Sequence, residues 1–90
     1  MTINDFAILK SIISKDDKTK GTIKTNGTTI NEMVAATKMS ESKVRRVIDK
    51  FKNEGLIEYG LSVKQAKSYI LTEKGFKTFI ELKGGKVQWN

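Results

Sequence analysis

The stretch Thr29–Leu56, TINEMVAATKMSESKVRRVIDKFKNEGL, decides how the rest of the chain is organised. It reads as two helices joined by a tight turn. Thr29 is placed to cap the first, and Glu32 three residues on closes a capping box. Ile30, Met33 and Val34 then face inward, with Ala35 and Ala36 small enough for close packing. Thr37-Lys38-Met39 makes the turn, and the Ser40 hydroxyl caps the second helix, over about residues 41–54. There Val44, Val47, Ile48 and Phe51 recur at i, i+3, i+4 and i+7, which puts all four on one face. Ser42, Arg46, Asp49 and Asn53 cluster opposite, flanked by Lys43, Arg45 and Lys50. Gly55 stands where a helix C-terminus wants a left-handed residue. A helix with one buried face and an opposed basic, hydrogen-bonding face suits a DNA major groove.

Downstream, Ile57, Tyr59, Leu61 and Val63 alternate with polar residues and glycine, which predicts a half-buried strand. A return strand over about Lys67 to Thr72 follows, and the tip between them carries Lys64 and Lys67. Thr72 caps a last helix in which Phe76, Phe79 and Ile80 share a face, and Gly84-Gly85 ends it. Upstream, Thr2 caps a helix running to about Ser14, with Asp5 completing a variant capping box. Ile3, Phe6, Leu9 and Ile13, with Ile12 beside them, are its expected apolar face. Residues 15–29 are polar. Asn26-Gly27 there fits either a small hairpin or a loop ending in one short strand, and Lys18, Lys20 and Lys24 in it are within the range of phosphate-binding residue types. Residues 84–90 form a tail whose Trp89 fits the first helix, a dimer interface or solvent equally well.

The order is helix, possible strand, helix, turn, helix, strand, tip, strand, helix. The expected class is α+β, mainly α: a winged helix-turn-helix, with residues 1–90 as one domain.

Composition narrows the function. Cysteine and histidine are both absent, which excludes thiolate chemistry and removes the commonest general base and metal ligands. No nucleophile–base pair or phosphate-cradling glycine loop is visible, so an enzyme is not expected, nor is any cofactor or metal. No apolar run reaches the roughly 18 residues that span a bilayer, and no signal-peptide pattern follows Met1. A cytoplasmic location without membrane attachment is the expectation. The net charge of +7 favours an anionic partner. It is uneven: residues 1–39 hold six lysines against four acids, and residues 40–90 hold eleven Lys or Arg against six. The basic half begins at the second helix of the opening stretch.

Residues 29–82 resemble the DNA-binding core of MarR-type winged-helix regulators, and more loosely small winged-helix proteins of plasmids and phages. Three segments carry the resemblance: Ser42–Phe51, then Lys52-Asn53-Glu54-Gly55-Leu56-Ile57, then Leu71-Thr72-Glu73-Lys74-Gly75. There are departures. The wing segment, Ser62–Ser68, lacks the arginine usual in that family, and a single short helix precedes and follows the motif where MarR-like proteins have long ones. The resemblance implies a homodimer on specific double-stranded DNA, and the short helices argue against a small-molecule effector. A transcriptional repressor, a partition centromere binder or a transfer-origin accessory factor would fit.

On this reading Ser42, Lys43 and Arg46 are candidates for base edges, since Arg and Lys pair with guanine O6 and N7. Ser40, Arg45, Lys50, Lys64 and Lys67 are candidates for phosphates, the two wing lysines following the backbone or reaching the adjacent minor groove. Asp49 either accepts from cytosine N4 or pairs with Arg45 or Arg46. The competing reading is a winged-helix protein–protein interaction module with only non-specific nucleic-acid affinity. For each lysine, a merely solvated role is the alternative.

Overall fold

The computed structural model describes residues 1–84, so the expected tail with Trp89 lies, beyond Gly84, outside the described residues. In chain order it comprises α1 (Ile3–Ser11), a 3-10 turn (Lys24–Asn26), β1 (Thr28–Thr29), α2 (Ile30–Thr37), α3 (Glu41–Asn53), β2 (Ile57–Tyr59), β3 (Ser68–Leu71) and α4 (Glu73–Lys83). The strands form one antiparallel sheet ordered β1-β3-β2, with Thr28 opposite Tyr69 and Ile57 opposite Leu71. This is a winged helix-turn-helix.

Local chemistry sets the boundaries. Thr2 and Thr29 each accept a hydrogen bond from the amide three residues on, while Asp5 and Glu32 reach back to close both capping boxes. Ser40 caps α3 by accepting from the Lys43 amide, and Thr72 caps α4 by accepting from the Gly75 amide. Gly55, at φ 75°, ends α3 in a Schellman arrangement: the Leu56 amide donates to the Phe51 carbonyl and the Gly55 amide to that of Lys52. Leu56 and Phe51 are both buried, the hydrophobic contact that accompanies this cap.

One core joins the layers: Ile8 and Leu9 of α1 with Ile12 just after it, Ile30 and Met33 of α2, Val44, Val47, Ile48 and Phe51 of α3, then Leu56, Ile57, Tyr69, Leu71, Phe79 and Leu82. The expected α3 stripe is the buried one. Two other stripes differ from expectation. In α1 the buried line is Asp5, Ile8 and Leu9, continued by the C-cap residue Ile12, whereas Ile3 is 65% exposed and Phe6 is half-buried, stacked on Phe79 at 5.6 Å. In α4 it is Gly75, Phe79 and Leu82, leaving Phe76 and Ile80 exposed. Gly75 sets that second rotation, because a Cβ there would lie 2.0 Å from the Leu56 carbonyl oxygen. A glycine on the buried line lets the helix backbone approach, and periodicity of apolar residues does not register it.

Residues 15–27 do not form a hairpin. They fold into a loop held by its own polar groups and ending in the two-residue β1. Asp17 accepts from the Thr19 amide and from Asn26 Nδ2, and the Gly21 amide donates to the Asn26 carbonyl. Gly21 lies at φ 72° against the Ile12 carbonyl, a position closed to any Cβ. Thr28 Oγ1 donates to the same carbonyl and so ties β1 to the end of α1.

The strand expected through Val63 stops at Tyr59. Ile57 on the same face is buried, but Tyr59, Leu61 and Val63 are each at least 40% exposed, and the Leu61 amide leaves the ladder for the Lys24 carbonyl. Beyond it the wing closes in a two-residue turn. Val63 and Ala66 exchange both backbone hydrogen bonds at 2.9 Å, and Lys64 and Gln65 both sit at positive φ, 49° and 69°. Such a turn favours Asn-Gly, since side chains pay for left-handed backbone. Replacing Lys64-Gln65 by Asn-Gly is therefore expected to raise stability by about 1 kcal/mol, read as a higher urea midpoint at unchanged m. A lower midpoint would refute this reading of the turn.

Two carboxylates make ion pairs between elements, one joining α1 to α3 and one joining α2 to the loop before it. Asp5, buried on α1, accepts from Lys50 Nζ of α3 at 3.2 Å, and Glu32 of α2 pairs with Lys20 at 2.7 Å. Burial alone would raise both pKa values. The Thr2 amide and Lys50 at Asp5, and Lys20 with the Thr29 amide at Glu32, outweigh it, so both lie below their ordinary 3.8 and 4.5. A carboxyl with a depressed folded-state pKa stabilises the fold above its unfolded pKa and loses that contribution as pH falls through the folded one. Urea stability should thus hold down to about pH 5 and decline below it, with a shallower decline in Asp5→Asn. An Asp5→Asn profile as steep as that of the parent would exclude the Asp5 contribution.

Candidate nucleic-acid interface

Once α3 has buried Val44, Val47, Ile48 and Phe51, the remaining faces divide by neighbour. Ser42, Arg46, Asp49 and Asn53 point to solvent along its middle. On one flank Arg45 points toward the wing. Its Nε donates to Glu41 Oε2 at 2.9 Å, and this bond, then the Glu41 charge, raises its already high pKa. On the other flank Lys50 turns toward α1 and Asp5. Lys43 is half-buried and Ser40 is exposed at the start of the helix.

The structure therefore brings Ser42, Arg45 and Arg46 onto one exposed surface and sets Lys50 apart from them, already engaged by a buried carboxylate. Asp49 forms no ion pair among the described residues; Arg45 takes Glu41 instead. Lys64 and Lys67 stand exposed on the wing. In the preceding loop Lys20 is held by Glu32 and by the Gly27 carbonyl, and Lys24 lies 3.8 Å from Glu58.

Several contributing residues escaped the sequence reading. A cleft of about 300 Å³ opens between the start of α2, α3 and the wing, lined by Thr29, Asn31, Arg45, Lys67 and Tyr69 among others. Burial raises the Tyr69 pKa, so its hydroxyl stays protonated as a donor or acceptor there. Tyr59 braces the wing base. Its hydroxyl accepts from Lys52 Nζ at 2.7 Å, Lys67 Nζ lies 5.4 Å from its ring centroid, and its ring tilts against Tyr69 at 5.3 Å. The hydrogen bond from Lys52 lowers the Tyr59 pKa and raises that of Lys52. Pairing across the sheet, Tyr59 opposite Tyr69, creates this cluster; residues ten apart in sequence show no local signal for it.

Electrostatically the surface is a cationic ridge and wing with hydroxyl and amide groups between them. Arginine and lysine so displayed donate to phosphates and to guanine edges. No described helix is long and apolar enough to cross a membrane.

No protein-family model matches the sequence, and no curated protein matches it. Solved structures do. A protein from Archaeoglobus fulgidus superposes with a TM-score of 0.74 at 24% identity, over 93% of this chain and 85% of that one. A MarR-family transcriptional regulator from Rhodococcus sp. RHA1 gives 0.73 at 15% identity, over 93% and 54%. The S. aureus MepR–DNA complex gives 0.71 at 16%, over 93% and 63%. The chain spans about half the length of several of the structures it matches. The four helices and three-stranded sheet of the described residues are the winged helix-turn-helix architecture shared with MarR-family transcription regulators.

Proposed function

We propose that this chain binds double-stranded DNA sequence-specifically, with α3 in the major groove and the wing along the adjacent backbone. One observation carries the reading: α3 spends its apolar face on the core and leaves Ser42, Arg45 and Arg46 exposed beside the wing lysines Lys64 and Lys67. The MepR–DNA complex among the matching structures supports it by analogy of fold. In this reading Arg46 with Ser42 and Lys43 reads bases, while Arg45, Lys64, Lys67 and the Ser40 end of α3 grip phosphates. Lys50 contributes charge from the α1 side.

The protein acts as a homodimer on paired half-sites, as a transcriptional repressor or as a plasmid or phage maintenance or transfer factor. The exposed Ile3 and Ile80 support self-association. A second reading, an interaction module for another protein, draws on the exposed Tyr59, Leu61 and Val63 of the wing.

The deciding experiment titrates the protein against DNA from its own upstream region and against random duplex at several salt concentrations. Five or six neutralised phosphates per subunit would give a slope of log affinity on log salt of roughly −5, with a saturable preference for the cognate duplex. Equal, weak binding that salt abolishes would favour the interaction module.

A further inference from the structure

The cleft between the start of α2, α3 and the wing holds a polar group that the fold itself does not use. Tyr69 is only 5% exposed, yet its hydroxyl makes no hydrogen bond among the described residues. No side-chain nitrogen or oxygen sealed from solvent lacks a partner there, so this hydroxyl opens into the cleft that Tyr69 lines. Burying an unmatched hydroxyl costs free energy that phenylalanine would avoid in the same space. The ring is fixed in place against Tyr59, at 5.3 Å between centroids.

Three more polar side chains converge on the cleft from separate elements. Asn31 comes from the start of α2, Arg45 from α3 and Lys67 from the wing, and none of the lining residues is acidic. Thr29 and Glu32 satisfy each other in the capping box. The exposed Asn31 side chain, without a hydrogen bond among the described residues, is therefore the polar contribution of α2. Glu41 takes the Nε of Arg45 and leaves its two terminal nitrogens. Lys67 pairs with no carboxylate among the described residues. Two cations and two neutral donors around a cleft of about 300 Å³ suit the charge and the oxygens of a single phosphate group.

Resting on the DNA-binding reading above, we propose that this cleft seats one phosphate of the bound duplex. Tyr69 Oη and Asn31 Nδ2 donate to its oxygens, and Arg45 and Lys67 supply charge. The strand that passes between α3 and the wing presents that phosphate.

Phosphate contacts carry no sequence information, and a neutral donor releases no counterion. Tyr69→Phe in the full chain should therefore weaken cognate and random duplex alike, by about tenfold, with the slope of log affinity on log salt unchanged. Lys67→Ala should weaken both and reduce that slope by about 1. Because the hydroxyl holds nothing in the fold, the urea midpoint of Tyr69→Phe should match that of the parent. Asn31→Asp adds a carboxylate to the first turn of α2, which the helix dipole favours. It should keep the midpoint and weaken both duplexes more than Tyr69→Phe does.

Parental duplex affinity in Tyr69→Phe overturns the proposal. So does a loss confined to the cognate duplex, which would make the hydroxyl a base contact, and so does a lowered midpoint, which would assign it to the fold. Inorganic phosphate, exchanged for chloride at constant ionic strength, tests the other source. If it shifts the Asn31 side-chain amide resonances while Tyr69→Phe keeps its duplex affinity, the cleft is a free-anion site and the assignment to DNA is overturned. A parent protein that binds neither duplex fails the DNA-binding reading itself, before any variant is made. A parent that binds, matched by Tyr69→Phe, fails this assignment alone.

Discussion

Phe51→Ala is expected to destabilise the protein by about 3–5 kcal/mol, the usual cost of removing a fully buried phenyl ring. Phe51 has no exposed surface, lies in the last turn of α3 and carries the carbonyl that closes the Schellman cap on Leu56. Its loss leaves a cavity beneath the helix that presents Ser42 and Arg46. Folded domains have stabilities of only about 5–15 kcal/mol, and a small one has a thin core. The variant should therefore be partly unfolded at moderate temperature and show a much lower urea midpoint. A loss under about 1 kcal/mol would mean that the site collapses around the missing ring, and that α3 is held chiefly by its other three apolar residues.

Arg46→Ala tests the surface above that core. Arg46 is exposed at the middle of the outward face, and among the described residues no carboxylate pairs with it. Fold stability should be nearly unchanged, since surface substitutions of this kind stay within about 0.5 kcal/mol. Affinity for the cognate duplex should fall by about 1–3 kcal/mol, roughly 5- to 150-fold, with relaxed preference at one base pair. Lys64→Ala should instead weaken cognate and random duplex alike, because a phosphate contact carries no sequence information. If Arg46→Ala weakens both duplexes equally, Arg46 grips phosphate and base reading lies elsewhere. The pair of variants separates reading from gripping, which affinity for one duplex cannot do.

The helix-turn-helix was legible because its determinants are local. Caps at Thr29, Ser40 and Thr72, the i, i+3, i+4, i+7 stripe of α3 and Gly55 after it each act within a few residues, and the structure places each as read. What failed depended on contacts distant in sequence. The turn at Lys64-Gln65 uses residues that do not favour positive φ, so composition could not mark it. The true faces of α1 and α4 follow from Asp5 meeting Lys50 and from Gly75 meeting Leu56, neither of which is visible in hydropathy. Within the interface, Arg45 and Arg46 look alike as letters. Their places on the helix separate them, and Glu41, one turn before Arg45, gives it a local partner; the cleft that Arg45 shares with Lys67 and Tyr69 is a consequence of the fold.

The register of β1 against β3 also carries a kinetic consequence. Thr28 and Thr29 pair with Tyr69 and Ser68, and the whole helix-turn-helix lies between them in the chain. Closing so long a loop costs entropy that only a preformed α2–α3 unit can offset, so sheet closure should come late in folding. Substitutions in β1 and at the wing should then accelerate unfolding and leave the refolding rate almost untouched, whereas changes in the α2–α3 packing should slow refolding. The wing would be the last part of the molecule to form and, under load, the first to open.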